Sequence, residues 1–210
     1  MAPTDHEPHT AAELVEGIDP LAVEGLVDEA EELAQEEGLP DAPHAGIVIT
    51  IASMGFFLIT LDISIVNVAL ARIRAELGGD ITGQQWIIDG YTLLFAALLL
   101  FAGNLSDRIG AKRALAVGIA IFTITSAACA MAPSTALLIA ARCAQGAGAA
   151  IMLPASMALV REAFPDPGRR ARALGVWAVG GAVAGLVGQP LGGLLTTYNW
   201  RWVFMINLPV

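Results

Sequence analysis

The stretch Gly103-Asn104-Leu105-Ser106-Asp107-Arg108-Ile109-Gly110-Ala111-Lys112-Arg113 separates two long apolar runs and carries one acid, three bases and two flanking glycines. A connection this short and basic between two membrane-spanning segments is held on the cytoplasmic side by the positive-inside rule. Gly103 and Gly110 are expected to let the adjoining helix ends approach closely.

Working outward, the composition agrees. With 56% hydrophobic and 15% charged residues and a mean hydropathy of +0.66, the chain is too apolar for an ordinary soluble domain. Windows of about 20 apolar residues predict spans over 46–71, 86–105, 114–132, 136–160 and 173–195, then an apolar start from 202 to 210. At about 1.5 Å per residue that last piece covers about 14 Å, half of a hydrocarbon core of about 30 Å. The expected fold is an all-α membrane protein: five full transmembrane helices and the start of a sixth, the amino-terminal helix bundle of something longer.

The net charge of -9 is unevenly placed. Residues 1 to 45 hold 13 of the 20 acids and no Lys or Arg, so the remainder, with 7 acids against all 11 bases, carries about +4. The connections 103–113 and 161–172 contain Arg108, Lys112, Arg113, Arg161, Arg169, Arg170 and Arg172, whereas the opposite side has Arg72, Arg74 and Arg201. This asymmetry puts the first group, and with it the amino-terminal tail, in the cytoplasm. No secretory leader is expected, because a basic n-region is lacking and the first apolar run is long and late. Nucleic acid is not an expected partner, since no basic, aromatic-laced surface exists outside the loops.

Within the acidic tail, 1–45, Asp19-Pro20 reads as a helix start. Val23, Leu26, Val27, Ala30, Leu33 and Ala34 recur at helical spacing until Gly38 and Pro40, predicting an amphipathic helix over 19–38. Two readings stand: a docking helix for a cytoplasmic partner, or a solvated acidic extension. The acidic face argues against anionic lipid.

An ionisable group at the bilayer centre costs about 2.5 to 3.5 kcal/mol on insertion scales, so the few inside spans are candidates for function. Asp62 lies in the first span, Asp89 near the outer end of the second and Arg142 in the fourth. Counting from the same face, Asp62 is about 13 Å deep and Arg142 about 9 Å, close enough in level to pair or to share a water-filled cavity. Alternatively, Asp62 is simply satisfied by Thr60, Ser64 or Asn67. Gln145, one turn from Arg142, suggests an inward polar stripe.

The words around these residues carry a resemblance. The 103–113 connection resembles the motif joining helices two and three of the major facilitator superfamily, Gly-x-Leu-Ala-Asp-Arg-x-Gly-Arg-Lys, with Ser106 for alanine and Ala111 for one base. Arg142-Cys143-Ala144-Gln145-Gly146-Ala147-Gly148-Ala149-Ala150 is similar to the fourth-helix motif Arg-x-x-Gln-Gly-x-Gly-Ala-Ala. Leu61-Asp62-Ile63-Ser64-Ile65-Val66-Asn67-Val68-Ala69-Leu70, Gln85-Trp86-Ile87-Ile88-Asp89-Gly90-Tyr91-Thr92-Leu93 and Trp200-Arg201-Trp202-Val203-Phe204-Met205-Ile206-Asn207-Leu208-Pro209 look like the first, second and sixth helices of the fourteen-span drug:proton antiporters. The fifth span has their motif Gly-x-x-x-Gly-Pro-x-x-Gly-Gly in altered form, with Ala184 for the first glycine and Pro190 one place late.

The resemblance implies alternating access in the cell membrane, exporting small amphipathic molecules in exchange for protons. It implies that Asp62 binds the proton, that Arg142 tunes its proton affinity, and that Gly103, Asp107, Arg108, Gly110, Lys112 and Arg113 latch one conformation. Asp89, Asn67, Trp86, Tyr91 and Gln145 are candidates for the substrate cavity. Gly181, Gly185, Gly188, Gly192 and Gly193 form an expected helix-packing motif in which small residues four apart let backbones touch, and Pro190 permits a bend. The missing carboxy-terminal half is an expected partner. Without it, the five helices are expected to expose Asp62, Arg142 and the glycine faces to lipid or to each other, to insert poorly, be degraded or self-associate, and to transport nothing. Two rivals are a major facilitator importer or metabolite transporter, and a non-transporting membrane module whose tail recruits a partner.

Other features carry less. Cys129 and Cys143 fall within spans and read as apolar packing. His6, His9 and His44 lack ligand-like spacing, so no metal or other cofactor is expected. Gly146-x-Gly148 lacks the strand and third glycine of a nucleotide loop. Asn104-Leu105-Ser106 fits a glycosylation site but on the wrong side. Trp86, Trp200 and Trp202 sit at span ends, as an interfacial aromatic belt requires. No nucleophile elbow or His-Glu-x-x-His helix suggests an enzyme.

Overall fold

A computed structural model describes residues 44–209 apart from Gly79; the tail helix expected over 19–38 lies outside the described residues. Six helices follow in order: α1 (Ala45–Leu77), α2 (Ile81–Ile109), α3 (Ala111–Ala130), α4 (Thr135–Ala163), α5 (Pro167–Tyr198) and α6 (Trp202–Met205). The first five are long and apolar enough to cross a membrane.

The helices outrun the apolar windows because charge ends a hydropathy window without ending a helix. Arg72, Arg74 and Glu76 continue α1 with their side chains exposed, and only Gly78, at φ +70, stops it. Three starts are capped by side chains, as helix termini with unpaired N–H groups require. Asp80 accepts from Gly83 N at 2.8 Å, Ser134 from Leu137 N at 3.4 Å, and Asp166 from Gly168 N at 3.3 Å ahead of Pro167.

The basic stretch 103–113 is almost wholly helical, not an open turn. Residues 103–109 belong to α2 and 111–113 to α3, so the connection is Gly110 alone. Gly110 sits at φ +88, a conformation that side chains with a Cβ rarely adopt. Neither Gly103 nor Gly110 marks a close approach: a Cβ at either would find nothing within 4 Å. The sixth segment is also shorter in helix than expected, one turn of α6 and then turns through 206–209.

α4 is the hub, packing against α2, α3 and α1, while α5 lies along α1 and α6 touches α3 and α1. The core runs the length of α4 in three clusters. Ile65, Val66, Ile73, Leu138, Trp200 and Phe204 fill one end, Leu58, Tyr91, Phe122 and Met152 the middle, and Ile49, Val160, Phe164 and Trp177 the other end. Large apolar side chains also cover the outside: Leu100 is 89% exposed and Ile124 69%. An apolar surface around a polar interior is what a lipid solvent selects.

The α1–α5 seam depends on missing side chains. A Cβ at Gly181 would overlap the Phe56 ring, one at Gly188 would lie 2.6 Å from Ser64 Cβ, and one at Gly192 would lie 2.9 Å from Ile65 Cγ1. The expected motif is corrected in two places. Gly185 meets only Thr60 Cγ2 at 3.9 Å and Gly193 meets nothing within 4 Å, whereas Ala184 is fully buried. A stripe at 181, 184, 188 and 192 keeps to one face of a helix with 3.6 residues per turn; strict steps of four drift off it. Pro190 is exposed, and α5 continues through it.

Candidate functional site

The first five helices alternate in direction. Bonds at one end tie α1, α2, α4 and the α5–α6 connection together: Gln84 Nε2 donates to Leu70 O at 3.0 Å and Thr135 Oγ1 to Gly78 O at 3.1 Å. Glu76 there accepts from Trp200 Nε1 at 2.9 Å and pairs with Arg72 at 3.4 Å and Arg201 at 3.5 Å. Trp200 is therefore no interfacial belt residue; it is fully buried, whereas Trp86 and Trp202 are about half exposed (48% and 51%).

One level below this end, the bundle encloses a polar cluster. Asp62, Ser126, Gln145 and Asn207 are fully buried and Arg142 is 2% exposed. Arg142 Nη1 donates to Asp62 Oδ2 at 2.5 Å and to Gln145 Oε1 at 2.8 Å. Asp62 Oδ1 accepts from Gln145 Nε2 and from Asn207 Nδ2, each at 3.0 Å. Ser126 Oγ accepts from Asn207 Nδ2 at 3.1 Å and Gln145 Nε2 at 3.3 Å, and donates to Phe204 O at 2.9 Å. Arg142 Nε reaches Ile87 O at 3.3 Å. The guanidinium lies 4.2 Å from the Tyr91 ring centroid, close enough for a cation–π contact.

Glycines make this reach possible. A Cβ at Gly146 would overlap the Tyr91 carbonyl, and one at Gly148 would stand 2.8 Å from Phe122 N. α2 and α3 thus approach α4 on either side of Arg142 and Gln145, so the same nine-residue word supplies the polar groups and the closeness that lets them touch partners.

Of the two arrangements open for Asp62 and Arg142, the structure shows direct pairing. The local alternative for Asp62 is not what forms: Ser64 Oγ donates to Thr60 O and Asn67 Nδ2 to Ile63 O, both within their own helix. Of the two outcomes expected for these helices without further ones, exposure to lipid or to each other, the structure shows the second: Asp62 and Arg142 are covered within this bundle, and Gly181, Gly188 and Gly192 face α1.

The cavity candidates divide. Tyr91 and Gln145 line the cluster, whereas Asn67, Trp86 and Asp89 lie on exposed faces away from it. Asp107, Arg108, Lys112 and Arg113 are exposed, and none makes an ion pair or side-chain hydrogen bond among the described residues. Sequence reasoning did not single out Ser126 or Asn207, and it gave Cys129 only a packing role although its Sγ donates to Gln145 Oε1 at 3.5 Å. For Asn207 a signal was available: it is a lone amide in an apolar run, the reasoning that identified Asp62 and Arg142. Tyr91 Oη and Asn207 Oδ1 are buried without hydrogen-bond partners.

Comparisons with known proteins point the same way. The chain is 44% identical over 174 residues to the methylenomycin A resistance protein of Streptomyces coelicolor, covering 82% of this chain and 36% of that protein. It is 41% identical over 167 residues to the cephamycin export protein of Amycolatopsis lactamdurans, covering 79% and 34%. The chain thus spans about a third of the length of the curated relatives it matches. The fold is shared with a crystal structure of a bacterial homologue of the human lysosomal transporter Spinster, at TM-score 0.64 and 20% identity over 79% of this chain and 37% of that one. A family model described as Major Facilitator Superfamily matches residues 52–210. With the bundle, the covered ion pair and this match together, the chain belongs to the major facilitator superfamily.

Proposed function

We propose that the chain forms the amino-terminal bundle of a proton-coupled exporter of small amphipathic molecules such as drugs or antibiotics. In this reading it sits in the cell membrane with its amino terminus and the Gly110 connection in the cytoplasm, and its further partners are the bilayer, protons and a carboxy-terminal half. The observation that carries the reading is the Asp62–Arg142 pair, sealed from water and supported by Gln145 and Asn207.

A proton on Asp62 neutralises the carboxylate and leaves the Arg142 charge without its counter-ion. Removing one partner of a buried pair costs about 3 to 5 kcal/mol, so the protonated bundle gains by any rearrangement that hydrates Arg142 or gives it another partner. Proton occupancy and conformation are then linked, and the pair is the two-state element that a transport cycle needs. The names of the relatives, one a resistance protein and one an export protein, favour outward transport of antibiotics. Asp107, Arg108, Lys112 and Arg113, exposed and unpaired among the described residues, suit a latch whose other face lies in the carboxy-terminal half.

The test uses the full-length protein in vesicles with an imposed pH gradient and a panel including methylenomycin A and a cephamycin. Gradient-driven export of a panel member, abolished in Asp62→Asn, is expected. Gradient-driven import would favour an importer; no transport of any compound would favour the membrane module.

A further inference from the structure

Two amides donate to the same oxygen of Asp62, and they are not equivalent. Gln145 is fixed in its orientation, because its Oε1 accepts from Arg142 Nη1 at 2.8 Å and from Cys129 Sγ at 3.5 Å. Turning that amide over would place its NH2 against a guanidinium, donor to donor. Asn207 has no such constraint: its Nδ2 is bonded to Asp62 Oδ1 and Ser126 Oγ, while its Oδ1 is buried and bonded to nothing. A buried carbonyl without a donor is uncommon in folded proteins and calls for a reason.

We propose that Asn207 is the protonation-dependent partner of Asp62, an amide that donates to the carboxylate and, turned over about its Cβ–Cγ bond, accepts from the carboxylic acid. This rests on the reading of Asp62 as the proton site. When a proton from water adds to Asp62 Oδ1, the new O–H needs an acceptor, and the Asn207 NH2 now facing it offers only donors. Rotation brings Asn207 Oδ1 to that position; no covalent bond changes beyond the O–H formed. Ser126 Oγ, which donates to Phe204 O at 2.9 Å, then also faces the turned oxygen and can donate to it, releasing the Phe204 carbonyl. The proton is thereby read out on the 204–207 segment, the part of the chain that enters the cluster from outside the five long helices. Apart from Asp62, the charged and titratable groups around the site are Arg142 on α4, Tyr91 on α2 and Cys129 on α3; α5 presents Gly181, Ala184, Gly188 and Gly192 to α1, and the 204–207 segment contributes no titratable group.

Isotope-edited infrared spectroscopy of the purified chain in lipid nanodiscs tests this, with 13C in Asn side-chain carbonyls and, separately, in Asp carboxyls. The Asn207 band is assigned by its loss in Asn207→Leu, and the Asp62 band by its loss in Asp62→Leu. As Asp62 becomes protonated, the Asn207 carbonyl band is expected to move to lower frequency, because an unbonded carbonyl gains an acidic donor; in Asp62→Leu its position should not depend on pH. A band that stays or moves upward as Asp62 protonates overturns the proposal and makes Asn207 a fixed donor. If Asn207→Leu does not fold, Asn207→Ser supplies the assignment. An Asp62 carboxyl that takes up no proton throughout the range in which the bundle stays folded overturns the proton-site reading itself, and the amide proposal with it.

Discussion

Two regions carry the strongest family-like sequence words, and they are opposites in structure. Around Asp62 the charges are inside and bonded to one another, drawing on α1, α3, α4 and the segment after α6. Around Gly110 the charges are outside and bonded to nothing among the described residues. The first region is complete in this bundle and can be judged from its own geometry. The second gains energetic meaning only from a surface presented to it, so its role rests on the proposed carboxy-terminal half.

The sharpest way to break this contrast is to add volume to each region. Gly146→Val drives a side chain into the Tyr91 carbonyl and should destabilise the bundle by at least about 3 kcal/mol, above the usual cost of overpacking because backbone cannot yield. Gly103→Val, with open space around it, should leave thermal unfolding in detergent unchanged. If both unfold alike, the close approach of α2 to α4 is not what holds the cluster.

Charge comes next. Arg142→Met alone should cost about 3 to 5 kcal/mol by stranding Asp62, and pairing it with Asp62→Leu should recover most of that loss; Asp107→Asn should be silent in the same melt. Equal losses in single and double variants would show that the pair does not act as a unit. Smaller still is Glu76→Gln, at the half-exposed end: it weakens the bonds to Trp200 and Arg201 and should cost about 1 kcal/mol or less, shrinking with added salt. At the end of the scale is a null effect. The 210-residue chain alone, reconstituted with a pH-sensitive dye, should show no substrate-dependent proton flux above empty vesicles.

The sequence made the five spans legible because lipid demands about 20 apolar residues each, and it pointed to Asp62, Arg142 and Gln145 because buried charge is costly. What it did not disclose depends on which faces meet. The word at 103–113 looked like an open turn because Gly103, Asn104, Ser106 and Asp107 are poor helix formers, yet α2 continues through them to Ile109 and only the positive φ of Gly110 interrupts it. Pairing the fifth-span glycines in fours misplaced Gly185, since the seam follows the 3.6-residue turn through Ala184, and Gly193, which came from the resemblance, lies off that seam. Asn207 was findable as a lone amide in an apolar run, but its partner 145 residues away in sequence was not, and Trp200 looked interfacial although the fold buries it with its indole N–H on Glu76.

The central claim is that Asp62 exchanges a proton against ligand, and the pH dependence of binding measures that linkage directly. In the full-length protein, the affinity for the compound exported best should fall as the pH is lowered through the window where Asp62 titrates, steepening towards about tenfold per pH unit below its midpoint, the limiting slope for one proton opposing one ligand. Asp62→Asn should bind that compound with an affinity independent of pH over the same window. A variant that keeps the parent slope would contradict the account.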